Sequence, residues 1–119
     1  MSYAPETIPD ALSLVKGGAR VVRLYLLDEN DAPEDLSGAS VPKVDIAEAA
    51  GETPIITKSG VEVTIEPGGD KGVLQFTLSA VDTAKLSVGS YVAQAQVTIG
   101  GNVYVTDNMY VKVTGKVTA

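Results

Sequence analysis

The residues of this sequence that offer chemistry are its side-chain oxygens and amines, because the 119-residue chain contains no histidine and no cysteine. Histidine is the commonest general base near neutral pH, cysteine is the commonest thiol nucleophile, and both are the usual ligands of zinc. Catalysis would have to rely on Asp, Glu, Lys, Ser, Thr or Tyr, and no two carboxylates stand out as a pair for hydrolysis. We therefore expect a protein that is not an enzyme and that carries no cofactor.

The densest group of metal-ligand types is the acidic stretch DENDAPED at residues 28–35. Hard oxygen ligands at close spacing are what Ca²⁺ binds, and the candidates here are Asp28, Asn30, Asp31 and Asp35. The stretch lacks the D-x-D-x-D-G order of an EF-hand loop. The alternative, which we favour, is a solvated turn whose geometry comes from Asn30 and Asp31.

A second candidate is the glycine-rich stretch GGDKG at residues 68–72, which has the composition of a phosphate-binding loop. It lacks the GxxxxGK[ST] spacing, and no helical pattern follows it. The stretch therefore predicts a turn between two strands.

The charge balance excludes two classes of partner. The net charge is −6 and the nine Lys and Arg residues are scattered along the chain, whereas nucleic acid and anionic membranes attract clustered basic residues. No apolar run approaches the roughly 20 residues that span a bilayer. The first ten residues have neither the basic nor the apolar region of a signal peptide. We expect neither nucleic-acid binding nor membrane insertion.

The elements that must position these side chains are strands. Valine is the dominant apolar residue and threonine is frequent, and both favour pleated backbone. Ser79 is the predicted N-cap of one short helical turn at 80–86. Alternating apolar and polar residues predict seven strands, at 11–16, 20–27, 41–47, 61–66, 73–79, 89–99 and 103–114. This pattern predicts an all-β fold, a Greek-key β-sandwich, with a small closed barrel as the alternative.

The chain divides into residues 1–10, an extended N-terminal arm, and residues 11–119, a single β-sandwich domain. Pro5 and Pro9 keep the arm out of helical geometry. Tyr3 and Ile8 are apolar side chains that a solvated tail would not need. They favour an arm that lies across a neighbouring subunit over a frayed terminus.

Three further tyrosines are predicted on outward faces. Alternation places Tyr25 on the solvent side of the strand at 20–27, and it places Tyr104 and Tyr110 opposite the inward valines of the last strand. Exposed tyrosine and valine on one sheet are typical of an interface. The alternative is a one-residue register shift around a bulge near residues 106–108, which would bury them.

The most specific local motif is the segment Leu86 to Tyr91, which reads L-x-x-G-x-Y at the start of a strand. In a Greek-key sandwich such a tyrosine packs under the crossover and its hydroxyl bonds to nearby backbone. Gly89 would permit positive φ there. We expect this motif to be structural and Asp82 to be a local capping partner.

This motif, the return hairpin GGNVYVTD and the earlier passage LLDENDAPEDLSG together resemble the immunoglobulin-like domains of tailed-phage virion proteins. The resemblance is to the N-terminal domains of siphophage baseplate upper proteins and to tail or head-fibre modules. It implies an Ig-like sandwich in a non-enzymatic structural protein, made in the host cytoplasm and located in the virion. The absence of an extension after residue 119 departs from those proteins and favours a decoration, connector or adaptor role.

The resemblance also implies protein partners, either virion neighbours or copies of the chain in a homo-oligomer or another symmetric assembly. The alternative function is a carbohydrate- or cell-surface-binding module, assisted by calcium. Its ligand would lie near residues 28–35 or Gly100–Asn102. The absence of tryptophan disfavours this alternative, because sugar-binding platforms use large exposed aromatic residues.

Overall fold

Ten strands form in the part of the chain that the computed structural model describes, which comprises residues 6–8, 11–30, 32–36, 38–65, 72–106 and 108–115. A five-residue helix, α1, spans Ala80–Ala84, and a 3-10 turn spans Gly60–Glu62. The strands are β1 (Glu6–Ile8), β2 (Ala11–Val15), β3 (Arg20–Leu27), β4 (Ala39–Ala47), β5 (Ile56–Ser59), β6 (Val63–Ile65), β7 (Val73–Leu78), β8 (Gly89–Ile99), β9 (Asn102–Val105) and β10 (Met109–Thr114).

The strands form two sheets, which confirms the predicted β-sandwich. Sheet I has the order β1-β3-β7-β6, and sheet II has the order β2-β10-β8-β4-β5. Strand β9 also pairs with β8, beyond the end of β10. All pairs are antiparallel except β2 with β10, which is parallel.

The core lies between the two sheets and is aliphatic. Inward residues alternate along each long strand, as Val22, Leu24 and Leu26 do on β3. Phe76 is the one phenylalanine of the chain, and it is buried in this core. The largest fully buried side chains are Leu12, Leu14, Leu24, Leu26, Leu36, Ile46, Leu74, Leu78, Leu86, Met109, Val44 and Val97. Burying each such side chain stabilises the fold by about 1.5–3 kcal/mol.

The prediction of one strand over residues 61–66 is wrong in its first part. Gly60, at φ +59°, opens a 3-10 turn in which Val61 is 99% exposed, and strand β6 begins only at Val63. The Glu62 carboxylate accepts a hydrogen bond from the Ser59 amide at 3.3 Å, which stabilises the turn. The preceding strand β5 was not predicted, since its four residues include three polar ones.

Pro42 lies in the part of β4 that forms an edge of sheet II, as proline within a strand pattern predicts. Strand β4 pairs with β8 from Ala39 to Ala47 but with β5 only from Lys43 to Ile46, so its first four residues have a neighbour on one side alone. Its pairing with β8 is interrupted between Ser40 and Lys43, and Val41 has φ +50° there. Proline is tolerated in a paired strand at such an irregularity, because no ladder hydrogen bond is required of its nitrogen.

The strand predicted over residues 103–114 is two strands, β9 and β10, and the register shift considered near residues 106–108 is present between them. Thr106 is buried, and its amide donates to the Ala95 carbonyl at 2.9 Å while its Oγ1 accepts from the Ala95 amide at 3.0 Å. The side chain thus takes the place of a backbone partner and changes the register before Met109. Asp107 lies outside the described residues, as do four of the five residues in the predicted turn at 68–72.

Gly72 is required by a close approach of three backbone segments. It has φ +67°, and a Cβ atom there would lie 2.5 Å from the Leu26 carbonyl oxygen and 2.8 Å from the Glu34 nitrogen. The Leu26 amide donates to the Gly72 oxygen at 2.7 Å, and the Glu34 amide donates to the Leu26 oxygen at 2.8 Å. Side-chain atoms at this position would therefore push β3 away from the segment that precedes β7.

We expect Gly72→Ala to lower the free energy of unfolding by about 2–4 kcal/mol, because backbone strain and steric overlap add. Gly17→Ala is the matched control, since Gly17 has φ +79° but a Cβ atom there would meet no other atom within 4 Å. Its cost should be about 1 kcal/mol. Urea titration of both variants measures the difference, and equal losses would show that the close approach is unimportant.

Candidate functional site

Tyr25 lies on the outer face of sheet I, as predicted. Its side chain is 38% exposed, and the Arg23 guanidinium carbon lies 5.6 Å from the centre of its ring. Val21, which precedes Arg23 in the outward row of the same strand, is 57% exposed. The outward row of β3 therefore presents one aromatic and one aliphatic side chain around a cation, in a geometry typical of a cation–π pair.

Tyr110 lies on the outer face of sheet II and is 69% exposed. Its register partners are Val92 on β8 and Ala11 on β2, both small or aliphatic. Val15, farther along β2, is also exposed. An exposed tyrosine among such neighbours offers contact area with a polar hydroxyl at its tip, the composition that interfaces favour.

Tyr104 is not on an exposed face, so this part of the prediction is wrong. It is partly buried and packs against the core cluster, whereas Val105 beside it is 38% exposed. The register change at Thr106 is the reason, since inward positions are even-numbered before it and odd-numbered from Met109 onward.

The three tyrosines predicted for outward faces therefore do not form one patch. Tyr25 lies on sheet I and Tyr110 lies on sheet II, so they point away from the core in opposite directions. Of the two arm residues, Tyr3 lies outside the described residues, and only the backbone of Ile8 is described. Residues Glu6–Ile8 form β1 and pair with Leu27–Tyr25 of the same chain.

The acidic turn is organised around one carboxylate. Asp28 Oδ1 accepts hydrogen bonds from the Asn30 amide at 2.8 Å and from the Ala32 amide at 3.0 Å, and the Asp28 amide donates to the Ala32 carbonyl at 2.7 Å. This is the self-bonded geometry of an Asx turn. Asp35 also has an interaction partner, and Asp31 lies outside the described residues. Within the described ranges, no group of three or more acidic residues is placed to hold a metal ion.

A shallow depression of about 240 Å³ lies on the outer face of sheet II, next to Val92, the register partner of Tyr110. Ala47 and Val92 line it together with Gln94 and Asn108, and the loop after β4 forms its wall. Asp45 also lines it, but this carboxylate already accepts from Thr57 Oγ1 at 2.6 Å and pairs with Lys43 at 3.5 Å. Sequence reasoning missed this feature because its residues come from strands that are distant in the chain.

The ion pair between Lys58 and Asp82 has a structural role. Lys58 Nζ lies 2.8 Å from Asp82 Oδ2, and both side chains are largely buried. The same carboxylate accepts from the Ser79 amide at 2.8 Å, and the Asp82 amide donates to Ser79 Oγ at 3.1 Å, so the predicted N-cap of α1 is confirmed as a capping box. Burial by itself raises the pKa of Asp82, but the bonds from Lys58 and Ser79 outweigh it, so the net effect lowers that pKa below 3.8.

The predicted corner is also confirmed as structural. Tyr91 is 7% exposed, and its hydroxyl donates to the Ser87 carbonyl at 2.8 Å. Gly89 has φ +154°, and nothing lies within 4 Å of the position that a Cβ atom would take. Lys16 reaches the same end of the sandwich and donates to the carbonyls of Ala84 at 2.6 Å and Leu86 at 2.9 Å.

Comparison with known proteins gives structural likeness alone. No family model matches the sequence, and no curated protein matches it. Among solved structures, the N-terminal domain of phage TP901-1 ORF48 is similar with a TM-score of 0.59 at 20% identity, over 87% of this chain and 83% of that one. CopC from Methylosinus trichosporium OB3b is similar with a TM-score of 0.53 at 15% identity, over 97% of this chain and 98% of that one. At these identities the likeness establishes the fold and nothing further.

In the described part of the chain, no helix is long and apolar enough to cross a bilayer.

Asp82→Asn should lower the free energy of unfolding at neutral pH by about 1–3 kcal/mol, because Lys58 loses a largely buried charged partner. A carboxyl whose pKa is lower in the folded state stabilises above its unfolded pKa, and that contribution is lost as pH falls through the folded pKa. The difference between wild type and variant should therefore shrink below pH 3.8. Urea titrations across this range measure it, with Asp45→Asn in the more exposed pair as the control. A difference that stays constant with pH would contradict the assignment.

Asp28→Asn should leave stability nearly unchanged, because an amide oxygen accepts the same two backbone hydrogen bonds, whereas Asp28→Ala should cost about 1–2 kcal/mol. Thermal melts in millimolar calcium and in chelator should coincide for wild type and for both variants. A calcium-dependent rise in the wild-type melting temperature that Asp28→Asn abolishes would instead show a metal site.

Proposed function

We propose that this chain is a non-enzymatic structural protein of a tailed-phage particle, serving in the tail, in the baseplate or as a capsid decoration or connector. It is made in the host cytoplasm and takes its place in the virion through sheet-face and N-terminal contacts. The observation that carries the proposal is the exposure of large apolar side chains on the outer faces of both sheets: Val21 and Tyr25 on one side, Val15 and Tyr110 on the other.

The exposed apolar side chains on these two faces favour binding to a partner protein over catalysis. Large apolar side chains that are exposed on a sheet face gain free energy when a partner covers them, at roughly 25 cal/mol per Å². Because the two faces are opposite, a chain that uses both would sit between two neighbours, as a subunit in a layered or symmetric assembly does. The cation–π pair of Arg23 and Tyr25 holds two of the contact groups in place before binding.

The likeness to the N-terminal domain of phage TP901-1 ORF48 supports the phage setting. The Ig-like character that the sequence motifs imply has separate support, because the tyrosine corner at Tyr91 is a recurrent feature of such sandwiches. Protein neighbours in the particle, including copies of this chain, are the partners that this proposal names.

A carbohydrate- or cell-surface-binding role is the second candidate, and one observation favours it. The depression on sheet II combines the apolar floor of Val92 with amides from Gln94 and Asn108, and exposed Tyr110 is the register neighbour of Val92. Sugars bind to such a combination of a ring face and planar hydrogen-bonding groups. This position differs from the loop ends at which the sequence placed the ligand.

The test is the composition of particles from the phage that encodes the chain. We expect the chain to co-sediment with purified particles, to survive a high-salt wash and to be present in a copy number that matches a symmetry of the particle. Quantitative mass spectrometry measures that number. A chain that is found in the lysate and not on particles would overturn the proposal. Specific retention on a glycan array that Tyr110→Ser abolishes would favour the second candidate instead.

Variants identify the faces that are used. Tyr25→Ser and Tyr110→Ser should each lower the affinity of the chain for the particle about thirtyfold if both faces make contacts, since truncating a central interface tyrosine commonly costs about 2 kcal/mol. Thr77→Ala is the matched control, because Thr77 is an exposed polar residue on the outer face of sheet I. All three changes lie at exposed positions and should alter stability by no more than about 0.5 kcal/mol.

A further inference from the structure

Among the described residues, the edge strands of the two sheets are protected, with one exception. Strands β1 and β6 each comprise three of the described residues. On β2, the Arg20 guanidinium donates to the carbonyl of Ser13. Strand β5 carries Lys58, which is held by Asp82. Short length, charged side chains and capped carbonyls are devices by which proteins prevent edge strands from pairing with other chains.

The exception is β9, Asn102–Val105, which among the described residues pairs only with β8. Its sequence is NVYV, with no charge and no proline, and its register with β8 is continuous from Asn102 to Val105. Valine and tyrosine are among the residues that favour strands most. Strand β9 therefore lacks the charged and capped groups that protect β2 and β5.

The backbone of β9 offers hydrogen bonds to a partner at two residues. The hairpin closes through Gly100 and Gly101 at φ +58° and +84°, with Ile99 opposite Asn102. Such a two-residue turn makes the closing residues a hydrogen-bonded pair, and bonded and non-bonded pairs then alternate along the strands. The hydrogen bond from the Thr106 amide to the Ala95 carbonyl fits this alternation, because Ala95 and Thr106 form the next bonded pair after Val97 and Tyr104. The amides and carbonyls of Val103 and Val105 therefore point away from β8.

The side chains of the same two residues complete the surface. Val103 is 57% exposed and Val105 is 38% exposed, and they project from one face of the strand. Tyr104, between them, packs against the core and holds the strand in place. The edge is thus an ordered template, with backbone groups directed sideways and two valines directed outward.

Charge indicates what pairs with this edge. No charged residue occurs between Lys85 and Asp107, although one fifth of the chain is charged and its net charge is −6. A strongly basic or acidic partner finds no counter-charge along this hairpin. Two copies of a chain with net charge −6 repel each other at most surfaces, but the hairpin of β8 and β9 is neutral and causes no such repulsion. A neutral strand with high β-propensity can also pair with an identical strand.

We propose that two copies of this chain pair through β9, antiparallel about a two-fold axis at Tyr104, so that sheet II continues from one copy into the next. Val103 of each copy then lies opposite Val105 of the other, and both outward residues exchange hydrogen bonds. The pairing covers the open β9 edge of both copies, so no further copy can add at β9 and the assembly stops at a dimer. The inference rests on the assembly role proposed above and deepens it, because it names the partner and the contact.

Because only one short strand per copy takes part, the isolated contact is weak, with Kd roughly in the micromolar to millimolar range. Fixed positions in a symmetric assembly would strengthen it through effective concentration. Sedimentation velocity of the full chain over this concentration range should show a shift from the 12.3-kDa monomer to a species of twice that mass. A monomer at every concentration overturns the pairing while leaving the particle test of the proposed function unaffected.

Two variants test the backbone contribution. Val103→Pro removes an outward amide that no bond to β8 uses and should weaken dimerisation by about tenfold or more, since the carbonyl opposite loses its donor. Val103→Thr keeps the amide and the branched shape, and should weaken it much less. Equal dimerisation of wild type and the proline variant would contradict the edge. Circular dichroism melts verify that both variants are folded.

A charge exchange makes the test independent of folding defects. Val103→Glu with Val105→Glu places like charges opposite each other in the pair and should abolish dimerisation, and so should the corresponding double change to Lys. An equimolar mixture of the two double variants should form a one-to-one heterodimer at concentrations at which each alone is monomeric. If the mixture stays monomeric although both variants are folded, or if the Glu variant still dimerises, β9 is not the contact.

Discussion

The ion pair between Lys58 and Asp82 and the hydrogen bonds around it determine how the two sheets meet at one end. The chain crosses there from β7 in sheet I to β8 in the middle of sheet II, and α1 lies in the crossover. A crossover that is packed against the core must satisfy its own polar groups, because an unpaired buried group costs about 1–3 kcal/mol. In this protein distant parts of the chain satisfy them: Lys58 from β5, Lys16 from the turn after β2, and the Gly18 carbonyl, which accepts from Thr83 Oγ1 at 2.9 Å.

This end of the molecule is consequently tied together by its polar groups and serves structure. Every buried side-chain nitrogen and oxygen in the described residues has a hydrogen-bond partner. Ionisable residues that would elsewhere suggest catalysis, such as Asp82 with its lowered pKa, are committed to the cap of α1 and to Lys58. A perturbed carboxylate is a candidate for chemistry only where a substrate can reach it, and here a lysine and a helix N-terminus surround it.

The surfaces left for function are therefore the sheet faces and the edge strands. A sandwich exposes two faces and several edges, and each exposed feature is either protected or available. The edges β2 and β5 are protected by Arg20 and Lys58, whereas the faces carry Tyr25 and Tyr110 and the hairpin edge carries neither charge nor proline. This distribution, more than any single residue, supports a role in assembly.

The sequence by itself determined the strand-rich class, the inward alternation of β3, β7 and β8, the cap at Ser79 and the corner at Tyr91, because each depends on residues that are close in the chain. Only the tertiary structure decided which tyrosines are exposed. Tyr104 lies inward because the register with β8 changes at buried Thr106, which accepts a hydrogen bond from the Ala95 amide. Tyr25 and Tyr110 lie on opposite faces because their strands belong to different sheets. The depression on sheet II and the open edge of β9 likewise depend on which strands are neighbours. Alternation along one strand predicts which of its side chains face the core and which face solvent. Which strands pair, and in what register, depends on residues far apart in the sequence, so the local pattern does not predict it.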